Sequence, residues 1–320
     1  MLAARISTLG EPLELVETPR PDPGPGEVLI AVRACGVNFA DTLMVAGKYQ
    51  EKPELPLTPG LEVAGEVVAQ GVGVSYPPVG TRVAALPRSG GFAEYLTVAA
   101  DRCVPVPDAM PDTHVAGFLI AYGTSHVALA HLAALRPGER LAVLGAAGGV
   151  GLTAVEIGAR MGAEVIAVAR GAERLAIATA AGARHAIDAD SPDLKDHLKA
   201  LGGVDVLYDA VGGALFEAGF GACRRFARVL PIGFAGGGVP KIPANILLVK
   251  NISVHGLYFG GLVEHRPEIA AASIKALLAW YERGWIKPHV SHVLPLTEAN
   301  AALGLLRSRS ATGKVVIEMP

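Results

Sequence analysis

The run Leu141-Ala142-Val143-Leu144-Gly145-Ala146-Ala147-Gly148-Gly149-Val150-Gly151 constrains the fold of this chain more than any other stretch. Its apolar start reads as a short buried strand, its glycines as a tight turn, and residues 152–161 as the helix that follows. That order puts backbone N–H groups and a helix N-terminus where a pyrophosphate can sit. A second apolar strand at 164–168 follows at the spacing of a βαβ unit. The glycines fall as Ala146-x-Gly148-x-x-Gly151, so alanine replaces the first glycine of the dinucleotide fingerprint. Gly148 is expected to let the backbone approach the phosphates, and Gly151 to let the helix pack on the strand. The bland alternative is an ordinary glycine-rich turn, which the flanking strand and helix argue against.

The chain has 320 residues, 51% hydrophobic and only 18% charged, as expected of an α/β enzyme with a buried parallel sheet. A net charge of -2 without a basic cluster argues against nucleic acid as a partner. Cys35, Cys103 and Cys223 are far apart and odd in number, so no disulfide framework is implied and a reducing cytoplasm is expected. The N-terminus has no charged leader followed by an apolar core, so no signal peptide is expected. Residues 114–135 lack Lys, Arg, Asp and Glu, but His126, His131 and Gly123-Thr124-Ser125 interrupt them. A buried inter-domain helix is expected there rather than a membrane span.

The first hundred residues carry short runs of β character at 28–34, 63–69, 81–86 and 92–98, punctuated by Gly and Pro. From about residue 111 strands and helices alternate. Strands are expected at 140–144, 164–168, 185–187, 204–208, 228–232 and 253–257, with helices at 173–181, 193–201 and 215–226. This is the count of a doubly wound dinucleotide fold. A long helix at 267–283, a strand at 290–294, a helix from 297 and a terminal strand at 314–318 are expected to return to the first domain.

Several motifs then point to one family. They are Gly36-Val37-Asn38-Phe39-Ala40-Asp41, Pro59-Gly60-Leu61-Glu62-Val63-Ala64-Gly65, Gly90-Gly91-Phe92-Ala93-Glu94-Tyr95, the glycine turn, Asp209-Ala210-Val211-Gly212-Gly213, Ile232-Gly233-Phe234-Ala235-Gly236-Gly237 and Thr312-Gly313-Lys314-Val315-Val316. In this order they resemble the zinc-independent NADPH:quinone oxidoreductases of the medium-chain dehydrogenase/reductase superfamily. The resemblance implies a GroES-like catalytic domain over 1–115, completed by 259–320, a Rossmann domain over 116–258, and a homodimer paired through the sixth strand.

Zinc-dependent members of that superfamily use cysteine and histidine ligands at two of these motifs. Asn38 stands at the cysteine position and Leu61 at the histidine position. Leucine donates nothing to zinc and an amide oxygen is a poor substitute for thiolate, so no metal is expected. Without a Lewis acid the acceptor shifts from alcohols and simple carbonyls toward quinones or alkenes conjugated to a carbonyl.

NAD-preferring sites place Asp or Glu at the end of the second strand, but here it ends Val168-Ala169-Arg170-Gly171. Arg170, with Arg174 a helical turn further on, suits a ribose 2′-phosphate, and NADPH is the expected cofactor. The alternative is that both are solvated surface charges. The pyrophosphate is expected on the backbone of Ala147, Gly148, Gly149 and Val150. By resemblance, Val211, Gly212 and Phe234 line the adenine–ribose side, while Thr124 and the segment around Tyr258-Phe259 approach the nicotinamide.

Hydride transfer to such acceptors needs alignment and dryness more than a strong acid. Asn38 is a candidate donor to the substrate carbonyl, with loop structuring as the alternative. Asp41 is read as orienting its loop rather than moving protons. Tyr49 is a candidate to stack on a flat substrate or donate its hydroxyl, against a plain surface role. His126 reads as a satisfied core histidine. None of the seven tyrosines has lysine four residues later, which removes the Tyr-x-x-x-Lys chemistry of short-chain reductases. An enoyl-thioester reductase, with Arg88 as a weak phosphate contact, and a low-turnover NADPH-binding structural protein remain as alternatives.

Overall fold

The computed structural model describes residues 1–51 and 54–320, and among these described residues the chain forms two compact units, Met1–Ile120 with Pro288–Pro320, and Ala121–Lys287. The first unit begins with a two-stranded ribbon of β1 (Leu2–Arg5) and β2 (Glu14–Glu17). Its main strands are β3 (Glu27–Val37), β4 (Val63–Gln70), β5 (Arg82–Ala85), β6 (Tyr95–Ala99) and β7 (Cys103–Pro105). Helix α1 (Phe39–Val45) leaves the end of β3 directly, and the short α2 (Asp112–Ala116) follows β7. β3 is the spine, pairing antiparallel with both β4 and β6. Its inward residues Val28, Ile30, Val32 and Cys35 enter an apolar core with Val63, Val67, Val83 and Phe92.

The second unit opens with α3 (Leu119–His126), whose first two residues still belong to the first unit. A π-helical stretch follows at Val127–Leu132. The single helix expected over 114–135 is therefore corrected to three segments. Gly117 caps α2, and the Ala133 N–H reaches back five residues to Ala128 O, widening the coil.

Then come β8 (Arg140–Leu144), α4 (Gly149–Arg160), β9 (Glu164–Ala169), α5 (Ala172–Ala180), β10 (His185–Asp188), α6 (Leu194–Ala200), β11 (Val204–Asp209), α7 (Gly213–Gly221), β12 (Cys223–Pro231), α8 (Ala244–Lys250) and β13 (Ser253–Val254). The six strands form an all-parallel sheet in the order β10-β9-β8-β11-β12-β13. This is the doubly wound arrangement, with the order reversing beside β8. The helix expected over 215–226 ends at Gly221, because Cys223 already pairs with Val204 and begins β12.

Helices α9 (Phe259–His265) and α10 (Pro267–Glu282) complete the second unit. The chain re-enters the first unit at Pro288, not at residue 259 as expected. The reason is local packing: the Phe259 ring lies against Gly123, and Ser273 Oγ is 2.7 Å from His126 Nδ1. The closing strands β14 (Val290–Pro295) and β15 (Lys314–Glu318) flank α11 (Ala299–Arg307), and β15 pairs antiparallel with β3. The three cysteines are free and buried, and among the described residues no helix is long and apolar enough to cross a membrane.

Candidate functional site

In the second unit most of the candidate residues lie at the carboxyl ends of the parallel strands. Gly145 turns the chain out of β8 with a φ of 75°, and Gly148 caps α4. A Cβ on Gly151 would overlap the Gly145 carbonyl oxygen, so this glycine is needed where the helix crosses its own turn rather than the strand. A Cβ on Gly148 would meet only that same oxygen, at 3.4 Å, so its outer side is open. The first N–H groups of α4, at Gly149 and Val150, have no carbonyl one turn back to accept them.

Beneath the turn lies a buried hydroxyl chain that sequence reading missed. Ser125 Oγ is 2.8 Å from both Thr153 Oγ1 and Tyr208 Oη, and it donates to the Val150 carbonyl at 2.9 Å. It ties α3, α4 and β11 together under the glycines. Burial pushes the Tyr208 phenol above its ordinary range.

Val211, Gly212 and Phe234 come together beside this turn. A Cβ on Gly145 would stand 2.8 Å from Val211 Cγ2, and one on Gly212 would stand 3.5 Å from Phe234 Cδ1. Asp209, ending β11, accepts the N–H groups of Val211 and Gly212 at 2.9 Å and so fixes that loop. Desolvation raises its carboxyl. Phe234 is exposed. Arg170 is exposed at the end of β9, and Arg174 is half-buried on α5. Asp188, ending the neighbouring β10, accepts the Gly171 N–H at 3.3 Å. Thr124 and Phe259 are both buried and flank Gly123, so α3 and α9 bring them together.

In the first unit a charged cluster is enclosed where β3, α1, β4 and β15 meet. Asp41 is 0% exposed, Glu62 1%, Lys314 5% and Asn38 8%. The Asp41 carboxylate accepts the N–H of Asn38 at 2.7 Å and of Gly60 at 3.0 Å, tying the start of α1 to the Gly60 turn. Burial pushes its carboxyl up to about 7 despite those two donors. Asn38 Nδ2 donates to Gly36 O at 3.2 Å and Glu62 Oε1 at 3.0 Å, and its Oδ1 accepts from Lys314 Nζ at 2.8 Å. Both amide N–H groups are thus committed within the protein. These are the bonds that the loop-structuring alternative for Asn38 calls for. Tyr49 is half-buried and packs on the apolar core of this unit. His126 is a half-buried histidine against Trp280, and desolvation pushes its pKa down.

Among the described residues no group of three or more His, Cys, Asp or Glu is placed to hold a metal ion. Lys314 was the residue sequence reading left out. The signal available was its place in the closing Thr312-Gly313-Lys314 motif.

The alcohol dehydrogenase GroES-like domain matches residues 24–108 and the zinc-binding dehydrogenase domain matches 149–277. A quinone oxidoreductase-like protein 2 homolog of Nematostella vectensis is 39% identical, over 98% of this chain and 88% of its own length. The chain belongs to the quinone oxidoreductase family of the medium-chain dehydrogenases/reductases. Two solved members of the family have the same fold. The quinone oxidoreductase of Thermus thermophilus, solved also with NADPH, is 34% identical with a TM-score of 0.88, covering 99% of this chain and all (100%) of that one. The Escherichia coli quinone oxidoreductase, complexed with NADPH, is 28% identical with a TM-score of 0.93, again covering 99% and 100%. The chain is accordingly an oxidoreductase with a GroES-like unit and a parallel-sheet cofactor unit, as the motifs implied.

Proposed function

We propose that this protein is an NADPH-dependent reductase that transfers a hydride to a quinone or to an alkene conjugated to a carbonyl, without zinc. The observation that carries the cofactor choice is Arg170, an exposed guanidinium ending β9 where NAD-type sites carry an acid. Its relatives of known structure bind NADPH. The residues fit that cofactor. The open side of Gly148 and the N–H groups of Ala147, Gly149 and Val150 would hold the pyrophosphate. Arg170 and Arg174 would hold the 2′-phosphate, Val211, Gly212 and Phe234 the adenine–ribose side, and Thr124 and Phe259 the nicotinamide.

When bound, the dihydronicotinamide supplies the hydride. The residues of this chain bind, orient and exclude water around the transfer. The Asn38 amide is committed within the protein and Asp41 is fully buried, so neither is available to hand a proton to an acceptor from solvent. That suits an acceptor whose reduced anion is already stable. Tyr49 is the remaining candidate for an aromatic contact with a flat substrate.

The donor set does not fit zinc. Leu61 has no donor atom, and the Asn38 amide is a poor substitute for thiolate whose Oδ1 is already engaged by the Lys314 ammonium. A homodimer is supported by the free edge of β13 and by exposed Phe226, Leu248 and Val249 beside it.

Steady-state NADPH oxidation with 1,4-benzoquinone, a small enone, a short enoyl-CoA and, in reverse with NADP⁺, a primary alcohol tests this reading. Turnover is expected with the quinone or the enone and not with the alcohol. Tight NADPH binding without oxidation by any acceptor would make the protein a binding module, and preference for the enoyl-CoA would make it a thioester reductase.

A further inference from the structure

Lys314 opens β15, and its ammonium donates in three directions: to Asn38 Oδ1 at 2.8 Å, to Glu62 Oε1 at 2.8 Å and to Val37 O at 3.2 Å. An ammonium has three N–H groups, so all are used. Glu62 is equally committed. Its Oε1 accepts from Lys314 and Asn38, its Oε2 accepts the Ile120 N–H at 3.0 Å, and its main-chain carbonyl accepts the Gly36 N–H at 3.1 Å. Four stretches of chain, at 36–41, 60–62, 120 and 314, therefore meet on one carboxylate and one ammonium.

Stability alone does not explain this arrangement. Burying an ion pair costs about what its attraction returns, and replacing both partners by apolar residues of similar size is often neutral, whereas removing one strands the other. A Leu–Met pair would fill the same space. What it would not supply is direction, because only the charged pair places hydrogen bonds on Asn38, Val37 and Glu62 together.

We propose that Lys314 is a positioning residue: acting through Glu62 and Asn38, its ammonium holds the β3–α1 junction at 36–41 in the arrangement used for acceptor reduction. The kinetic consequence rests on the reductase reading above. The ordering of the junction does not.

The test compares the full-length protein with the Glu62→Leu/Lys314→Met double variant, which leaves no unpaired charge. Four quantities are measured: melting temperature, NADPH dissociation constant, hydrogen exchange of the Gly36 and Asn38 amides, and kcat and KM for 1,4-benzoquinone. The double variant is expected to melt within a few degrees of the parent and to bind NADPH unchanged. Its Gly36 and Asn38 amides are expected to exchange about tenfold faster or more, with kcat down by about tenfold or more while KM changes little. Exchange at the parental rate overturns the proposal. So does a kcat equal to the parent's in a reductase-active protein, since a purely structural pair would give that result. Should the double variant not fold, the same exchange measurement on Glu62→Gln decides: faster exchange supports the positioning role and parental exchange overturns it. If the parent itself oxidises NADPH with no acceptor, the reductase reading falls while the exchange data still decide the ordering of the junction.

Discussion

Replacing Arg170 by alanine removes a guanidinium from the end of β9 and leaves the sheet untouched, since the side chain is exposed. The expected result is an NADPH KM raised about tenfold, roughly the worth of one charge-assisted contact to phosphate, with the NADH KM unchanged. Equal effects on the two cofactors would remove the 2′-phosphate assignment. Asp41 gives a different residue-scale test. Burial places its carboxyl at about 7 in the folded chain, against 3.8 ordinarily. Between those values the folded state holds a proton that the unfolded state has released, so Asp41 makes stability fall as pH rises from about 4 to 7. Glu139 works the other way at lower pH. Its carboxyl is held down by Arg228, and its contribution is lost as the medium turns acid. Asp41→Asn keeps one acceptor for the loop and should flatten the decline across that window, read as melting temperature at several pH values. An unchanged slope would show that Asp41 does not titrate there. At this scale the sequence made Asn38, Leu61 and Asp41 visible through their motifs. Lys314 was visible only as a member of the closing motif; its burial was not legible, because its acid partner lies 252 residues away.

The glycine turn is decided by how closely helix α4 crosses the end of β8. Gly151→Ala places a methyl group on the Gly145 carbonyl, and neither backbone segment can yield without opening the turn. A loss of about 3 kcal/mol in unfolding free energy is expected, together with loss of NADPH binding, read by denaturant titration and cofactor fluorescence. A variant with parental affinity would show that the turn relaxes freely. Elements of this kind were legible because their strands are short continuous apolar runs between glycines, and β8 and β15 fall where periodicity put them. The stretch 114–135 was not. Its uniform apolar character is the same whether it coils as one helix or three, and the break at Gly117 falls where the side chain of Lys314, distant in sequence, lies against the chain. The overlong reading of α7 has the same origin, since Cys223–Phe226 becomes strand only through its partner Val204.

For the whole molecule, the proposed dimer would pair through the edge of the six-stranded sheet. β13 has only two residues, Ser253–Val254, and Leu248 is 78% exposed beside it. Leu248→Arg is expected to convert a dimer to a monomer in sedimentation velocity without changing the fold by circular dichroism; a wild-type monomer would remove the proposed assembly. The location of the second boundary was not legible either, because α10 carries apolar positions that would suit either unit, and its actual neighbour, the His126–Trp280 contact, is a tertiary choice.

The pairing of β15 with β3 also sets an order of events during synthesis. The Ala121–Lys287 unit is one uninterrupted stretch and can close as soon as it has left the ribosome. The first unit cannot, although its first residues emerge earliest. Val315 and Ile317 of its core and Lys314 of its charged cluster follow the whole second unit in the chain. Until they emerge, residues 34–37 of β3 lack the β15 partner, although β6 already pairs with 27–31, and Glu62 lacks its cation. A chain that stalls after Lys287 would therefore carry one closed unit and one that still lacks residues 288–320, the stretch that completes its sheet.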